Sequence, residues 1–520
     1  MFGKFTNYLT LSQNRYVLLI SIFLTGLMFS KFLLSISLFL LVGNWLLEGD
    51  LKEKIRKLYC NKAAIAFLMI FGLHIAGLFY TFDFDYALKD IRIKLPLLIL
   101  PVVFGSISPF SQKQFKQVFH FFIIIVIISS IVSLFIYFQN PHLAHRNISP
   151  FMHHIRLSLI TTIACFFVFY QALYSDNKRR IYRIFYLLIG FYLFIFTFFF
   201  IGSINGILIF TCTLFWWLGY ILYKNNSLRL RIISSISLLG IICIVVVSFV
   251  QFKQHYFPER KPLSYPLEEF TAQGNSYFHG LEANVYENGY PIHVYVCEKE
   301  LEKAWNKKNV DVDFYKSYDN KYQLKDVLIR YMTSKGLKKD SVGFSELSNT
   351  DMHHIVNGIT HYRLAGKKPI VSRLYELYWG YYNQYRNNKS TDNSFLLRIQ
   401  YWEVSMMLIR QAPIFGIGTG DVLNAFEEQY IKIHTSLDLH NQRRSHNQYL
   451  AITIAFGLFG LCVFLFALIY PAIINKKYNS FHFITVFIIL VLSMMTEDTM
   501  ETQIGVSIFG FFYCFFLFKE

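Results

Sequence analysis

Apolar runs of roughly 17 to 25 residues recur along this chain, each the length an α-helix needs to cross about 30 Å of hydrocarbon. The chain has 520 residues, 54% of them hydrophobic and 18% aromatic, and Phe alone supplies 55. Only 16% are charged, where a soluble domain carries about a quarter. The pattern predicts an all-α polytopic membrane protein of about twelve transmembrane helices. The runs and their breaks place spans near 14–29, 31–48, 62–80, 92–108, 115–138, 153–174, 181–199, 203–223, 230–251, 447–472, 480–496 and 502–518. No small-residue cleavage site follows the first run, which reads as an uncleaved span and not as a signal peptide.

Lys and Arg set the orientation, because cytoplasmic loops carry the excess of both. With the N-terminus inside, the cytoplasmic segments hold Lys4 and Arg15, then Lys52, Lys54, Arg56, Lys57 and Lys62. Lys113 and Lys116 come next, then Lys178, Arg179, Arg180 and Arg183. Lys224, Arg229 and Arg231 follow, then Lys476, Lys477 and Lys519. The short loops opposite carry acids: Asp83, Asp85 and Asp90 in one, Glu497, Asp498 and Glu501 in another. Both termini are therefore expected in the cytoplasm. The net charge of +17 follows largely from this topology and calls for no nucleic-acid partner. Of seven cysteines, only Cys297 lies clearly outside, so no disulfide framework is expected there.

The expected division is 1–251 for spans one to nine, 252–394 for a large extracytoplasmic α/β loop module, 395–446 for outside helices and a Gly-rich turn, and 447–520 for spans ten to twelve. Within the module, "GYPIHVYVCE" alternates like a strand, while "KELEKAWN" and "KYQLKDVLIRYMTSKGL" read as amphipathic helices. The second of these ends at Gly336 in C-cap fashion. "KDSVGFSELSNTDMHHIVNGI" predicts another short helix, with Asn349 or Thr350 as its N-cap. Beyond the module, a helix from Ser394 to Arg410 stops before Pro413, "GIGTG" turns, and a second helix starts at Asp421. This stretch leads directly into span ten.

The doorstep of span ten is "RRSHNQYL", a dense polar cluster on an apolar helix. His446 within it can accept a proton from a hydroxyl near neutral pH. It could equally be an interfacial residue that caps the helix with Ser445, and on spacing alone the two readings stand level. Arg443, Arg444, Asn447 and Gln448 surround it. Guanidinium forks suit phosphate oxygens; Arg398 lies on an outside helix with Trp402 one turn later on the same face. Arg156 stands at the outer entrance of span six, where snorkelling to headgroups is the competing reading. Gly416, Gly418 and Gly420 in "PIFGIGTGD" could offer backbone N–H groups to an anion. No strand precedes them and no Lys-Ser/Thr follows, so a plain tight turn fits the sequence better than a P-loop. "GSING" at 202–206 has the spacing that lets helices approach closely. Ionisable residues are nearly absent from mid-span, unlike the pattern of a proton-coupled transporter.

The stretch "LRIQYWEV…APIFGIGTGD…SHNQYLAITIAFGLFGLCVFLF" resembles the O-antigen ligase family of bacterial inner-membrane glycosyltransferases. The resemblance lies in R-x-x-x-W, then P-x-x-G-x-G-x-G, then H-N-x-x-L with a later G-L-x-G. It covers residues 395–470, and the loop between spans nine and ten suits the family too. "TAQGNSYFHG", "YVCEKELEKAWN" and "YMTSKGLKKDSVGFSELS" are similar to the loop of a Bacteroidetes-type subgroup. The resemblance implies an enzyme in the bacterial inner membrane, its active site facing the periplasm among membrane lipids. It implies a glycan donor on undecaprenyl pyrophosphate and inverting transfer that needs no metal or other cofactor. The acceptor it implies is a hydroxyl of lipid A–core or of another glycan. His446 would be the base, and Arg398 would hold the pyrophosphate with Arg156, Arg443 and Arg444. Trp402, Asn447, Gly416, Gly418 and Gly420 would support them. One departure is visible: the family's arginine near the outer end of span eight is replaced by Ile204 or Asn205 in "GSINGIL". A polymerase extending the glycan on its carrier and a protein O-oligosaccharyltransferase share these motifs, and a non-catalytic polysaccharide or lipid transporter is the reading from another class.

Overall fold

The computed structural model describes residues 2–140, 148–174, 180–224, 227–263, 265–308, 312–318, 322–367, 369–383, 394–435 and 437–518. Lys178, Arg179 and Lys519, three of the cations used to assign orientation, lie outside those residues. The chain divides into two compact units, Met1–Tyr220 with Arg398–Glu520, and Ile221–Leu397.

The chain is mostly helical. Among the described residues, seven helices are long and apolar enough to cross a membrane: Lys62–Tyr80, Gln112–Gln139, His154–Tyr174, Arg180–Ile201, Ile204–Tyr223, Arg231–Tyr256 and Gln448–Ile474. Lys31–Leu47 and Leu51–Cys60 form a pair bent by 111°, which makes an eighth if the pair is one span. Left-handed backbone at Gly49 (φ 84°) and Asp50 (φ 52°) turns the chain between them. The other expected spans correspond to shorter apolar helices, Gln13–Phe29, Phe481–Thr496 and Gln503–Leu517. The expected span 92–108 contracts to Pro96–Ser106, because the preceding helix ends at Ile93 and Pro96 opens a new one. At 1.5 Å per residue a 15-residue helix reaches only about 22 Å, so the count of twelve full crossings is not reached by length.

In the first unit, Phe67 stacks on Phe509 and Tyr513, with ring centroids 5.7 and 4.6 Å away. Gly206 of "GSING" lies so close to Ser158 that a Cβ there would stand 2.2 Å from its Oγ, the close helix approach that small residues permit. The helix Gln448–Ile474 is broken at Gly457 (φ 66°, ψ −171°). A break in a helix orphans backbone groups that must find other partners. Here the segment 413–418 supplies them. Leu458 and Phe459 donate to the carbonyls of Pro413 and Ile414, while Ile417 and Gly418 donate to those of Ile454 and Ala455.

The second unit begins on the helix Leu228–Tyr256, whose apolar side chains, such as Ile236 and Ile244, stand exposed along its length. Its remainder packs around Trp305, Leu328, Tyr331, Met332, Phe344 and Tyr375. Helices Glu298–Lys307 and Leu324–Lys335 lie where the periodicity put them, the latter capped by Gly336 at φ 77°. Strand is scarcer than an α/β module requires. Two-residue ribbons pair Tyr286–Glu287 with Tyr290–Pro291 and Ser317–Tyr318 with Tyr322–Gln323. The alternation in "GYPIHVYVCE" does bury Ile292, Val294 and Val296. Beyond the ribbon, however, Val296 makes only isolated bridges, to Phe278 and Lys339. The short helix expected in "KDSVGFSELSNTDMHHIVNGI" is Asn349–Val356, and a further one, Ser341–Ser345, precedes it. Ser348, not Asn349 or Thr350, is the N-cap of the expected helix, because its hydroxyl accepts from Asp351 N while the Asp351 carboxylate accepts from Ser348 N.

Candidate active site

The "RRSHNQYL" doorstep is an extended segment pinned by three aromatic donors. Tyr401 donates its hydroxyl to the Asn441 carbonyl at 2.7 Å, and Tyr430 donates to that of Arg443 at 2.7 Å. Trp402 Nε1 donates to the Ser445 carbonyl at 3.1 Å. Ser445 is fully buried, and Asn447 caps the following helix, its Oδ1 accepting from Tyr449 N and Leu450 N. His446 stands between these two fixed points in left-handed backbone, φ 45°, uncommon for a residue with a Cβ. The effect is to present the imidazole beside Tyr401, ring centroids 5.7 Å apart, with its side chain 28% exposed.

The helix carrying Trp402 also carries Arg398 one turn earlier, so one face reaches both the doorstep and an acid. Arg398 donates to Glu497 Oε1 at 2.5 Å, and His446 Nδ1 lies 3.7 Å from Glu497 Oε2. One carboxylate thus faces both the candidate base and a candidate phosphate ligand. Burial pushes the Glu497 carboxyl up, but His446 beside it and the charges of Arg398 and Arg156 outweigh that and hold it below its ordinary value. Its neighbour Asp498 goes the other way. Burial raises that carboxyl to about 6 despite His446 and Arg444 nearby, and its Oδ1 has no hydrogen-bond partner among the described residues.

Arg444 enters a second, more deeply buried group of charges. It donates to Tyr86 Oη at 3.1 Å and lies 3.4 Å from Glu501 Oε2. Lys94, 1% exposed, sits 3.0 Å from the same Glu501 oxygen and pairs with Asp90. His74 Nδ1 is 3.3 Å from the other Asp90 oxygen. Gln448 ties the helix start to this group, giving Nε2 to Glu501 Oε1 at 3.1 Å and accepting from Met500 N at 2.8 Å.

Arg443 is exposed and donates to the His440 carbonyl at 3.3 Å. The Arg156 Nε is buried without a hydrogen-bond partner among the described residues. Its side chain lines an open cleft of about 690 Å³ together with Lys31, His153, Glu501 and Gln503. The structure therefore brings His446, Arg398, Trp402, Arg444 and Asn447 together around residues 441–447, and Arg156 joins them through the field of Glu497.

The glycines play a different part. Gly416, Gly418 and Gly420 have their own amides occupied by Ala412 O, Ala455 O and Thr81 Oγ1. A Cβ at Gly416 would stand 2.4 Å from the Ala455 carbonyl carbon, and one at Gly420 would stand 2.0 Å from Asp83 O. They form a close-packed turn that completes the broken helix, and they leave no free N–H nest for an anion.

Reading by motif missed Glu497, Asp498, Glu501, Asp90, Lys94, Tyr86 and Tyr401. The acids were visible in two short loops but were counted only as evidence of orientation. Three acids in five positions, E-D-x-x-E, on the side that also held the arginines, was the available signal.

A search of curated proteins returned no match. Residues 359–465, which hold Arg398, Trp402, the glycine turn, Arg443, Arg444, His446 and Asn447, match the family model described as O-Antigen ligase. Over those residues the chain is similar to the O-antigen ligase family, and apolar helices flank the match.

Proposed function

We propose that this ligase-type glycosyltransferase moves a glycan from undecaprenyl pyrophosphate to a hydroxyl of lipid A–core, on the periplasmic face of a bacterial inner membrane. The observation that carries the reading is His446, held between buried Ser445 and the cap Asn447, with Nδ1 turned to Glu497. With Nδ1 facing Glu497 Oε2 at 3.7 Å, Nε2 is the nitrogen left for the acceptor. The acceptor oxygen attacks the anomeric carbon and its proton passes to Nε2. The bond from that carbon to the pyrophosphate oxygen breaks, and its electron pair leaves on the pyrophosphate. Attack opposite the leaving group inverts the anomeric centre. Arg398, Arg443 and Arg444 neutralise the charge that develops there. Arg156 takes the place of the arginine missing at Ile204 or Asn205, a role supported by its buried, unpartnered Nε. Glu497 acts through its neighbours: it fixes the imidazole tautomer and competes with the incoming pyrophosphate for Arg398.

The test is His446→Ala. Glycan transfer should disappear while the amount of protein in the membrane is unchanged, and transfer at the wild-type rate would remove His446 from the mechanism. A deletion strain separates ligase from polymerase. Core without any long-chain glycan, with polymer accumulating on the carrier, indicates a ligase, and core capped with a single repeat indicates a polymerase. Modified core alongside unglycosylated protein would point to protein O-glycosylation. Transport without catalysis would tolerate the alanine.

A further inference from the structure

The unit Ile221–Leu397 contains a cleft that the transfer chemistry does not use. It measures about 400 Å³ and is lined by Lys261, Tyr290, Val294, Tyr295, Lys338 and Lys339 among others. Three lysines line one hollow, and they are not equivalent. Lys338 is answered by Glu268 at 2.6 Å and lies 5.1 Å from the Tyr295 ring centroid. Lys261 bonds the Tyr290 hydroxyl and sits 4.1 Å over that ring. Lys339 is different. It is 4% exposed, and its Nζ has one long hydrogen bond, 3.5 Å to the Pro291 carbonyl.

Its position is built, not accidental. Lys339 N donates to Tyr295 O at 2.9 Å, and Lys339 O accepts from Cys297 N at 2.8 Å. This bridge fixes the backbone of a residue that lines the cleft. The adjacent carboxylate is occupied, since Asp340 accepts from Gly343 N at 2.7 Å and from the Tyr277 hydroxyl. A buried ammonium without a carboxylate partner is costly, and burial lowers the Lys339 pKa to about 7. A bound oxyanion would supply the missing partner. The tyrosines beside it offer the flat apolar and hydroxyl-bearing surface that a sugar ring packs against.

We infer that this cleft is a binding site for an acidic glycan, with Lys339 taking the carboxylate of a uronic-type sugar and Tyr290 and Tyr295 flanking its ring. The site stands independently of the transfer reaction, and its test reads binding alone.

The experiment is calorimetric titration of the full-length protein in detergent with tetragalacturonate, maltotetraose and inorganic phosphate. The variants are Lys339→Met, which keeps the stem and removes the charge, and the more exposed Lys261→Ala, which guards against a folding defect. Tetragalacturonate should bind saturably, Lys339→Met should weaken it at least tenfold, Lys261→Ala should weaken it less, and maltotetraose should not bind. Equal binding by wild type and Lys339→Met would overturn the inference, and so would absence of saturable tetragalacturonate binding. Binding of phosphate but not of tetragalacturonate would overturn the carboxylate assignment.

Discussion

Glu497 shows why a single acid can matter more than the motif residues it touches. It lies at the end of the helix Phe481–Thr496, where extended backbone (φ −147°) lets its carboxylate face Arg398 and His446 at once. Glu497→Gln keeps the shape and loses the charge. Transfer should fall by about 10²-fold or more, the scale of a mispositioned acid–base group. Because the carboxyl is held below its ordinary value, it is charged throughout the range from about pH 5.5 to 8. The variant should therefore stay slower than wild type across that range, measured with purified donor and acceptor. A variant that matches wild type within it would show that the carboxylate is not the group responsible. On spacing alone His446 stands level between base and helix cap, and the H-N-x-x-L resemblance is what singles it out. Glu497 was not legible from sequence, because nothing in its local pattern separates an acid in a polar loop from one that orients a base.

At the scale of elements, the two glycine motifs prove to be one structural device. The turn at 413–418 and the break at Gly457 exchange four backbone hydrogen bonds, and each is the other's partner. A Cβ at Gly457 would stand 2.0 Å from Ile414 O, in backbone that L-residues rarely adopt. Gly457→Ala and Gly416→Ala should each cost on the order of 3 kcal/mol or more. The readout is the thermal midpoint of the detergent-solubilised protein. Asn447→Ala, which removes only a cap, should cost about 1 kcal/mol and serves as the scale. A midpoint for Gly457→Ala no lower than that of Asn447→Ala would refute the mating of turn and break. The sequence pattern located these glycines and even favoured a turn over an anion nest. It could not name the partner, since residues 416 and 457 meet only through tertiary packing. The same limit explains the spans: hydropathy locates apolar helices well, but the bend near Gly49 and the restart at Pro96 decide which are full crossings.

At the scale of the whole molecule, the first unit has a buried electrostatic spine whose parts come from distant segments. Lys94 lies between Asp90 and Glu501, and Arg444 shares Glu501, so Lys94→Met leaves two buried acids short of a cation. Breaking such a pair from one side costs about 3–5 kcal/mol, which should appear as a large drop in thermal midpoint. Asp498 is the exception to this balance and allows the sharper test. Burial raises its carboxyl to about 6, against an ordinary value of 3.8. Between those two pH values the folded state binds more protons at this group than the unfolded state, so its contribution to stability falls as pH rises. Above that window the fold carries a charged, buried carboxylate with one oxygen unpartnered. Asp498→Asn removes the charge and should stabilise the protein at pH 7 to 8 by on the order of 1–3 kcal/mol, with the gain vanishing below about pH 4. Thermal midpoints of both proteins across that pH range measure it. A variant less stable than wild type at pH 8 would mean that His446 and Arg444 already balance the charge. If the variant gains stability and loses transfer, the strained acid is kept for its work beside His446, because a fold selected for stability alone would have discarded it.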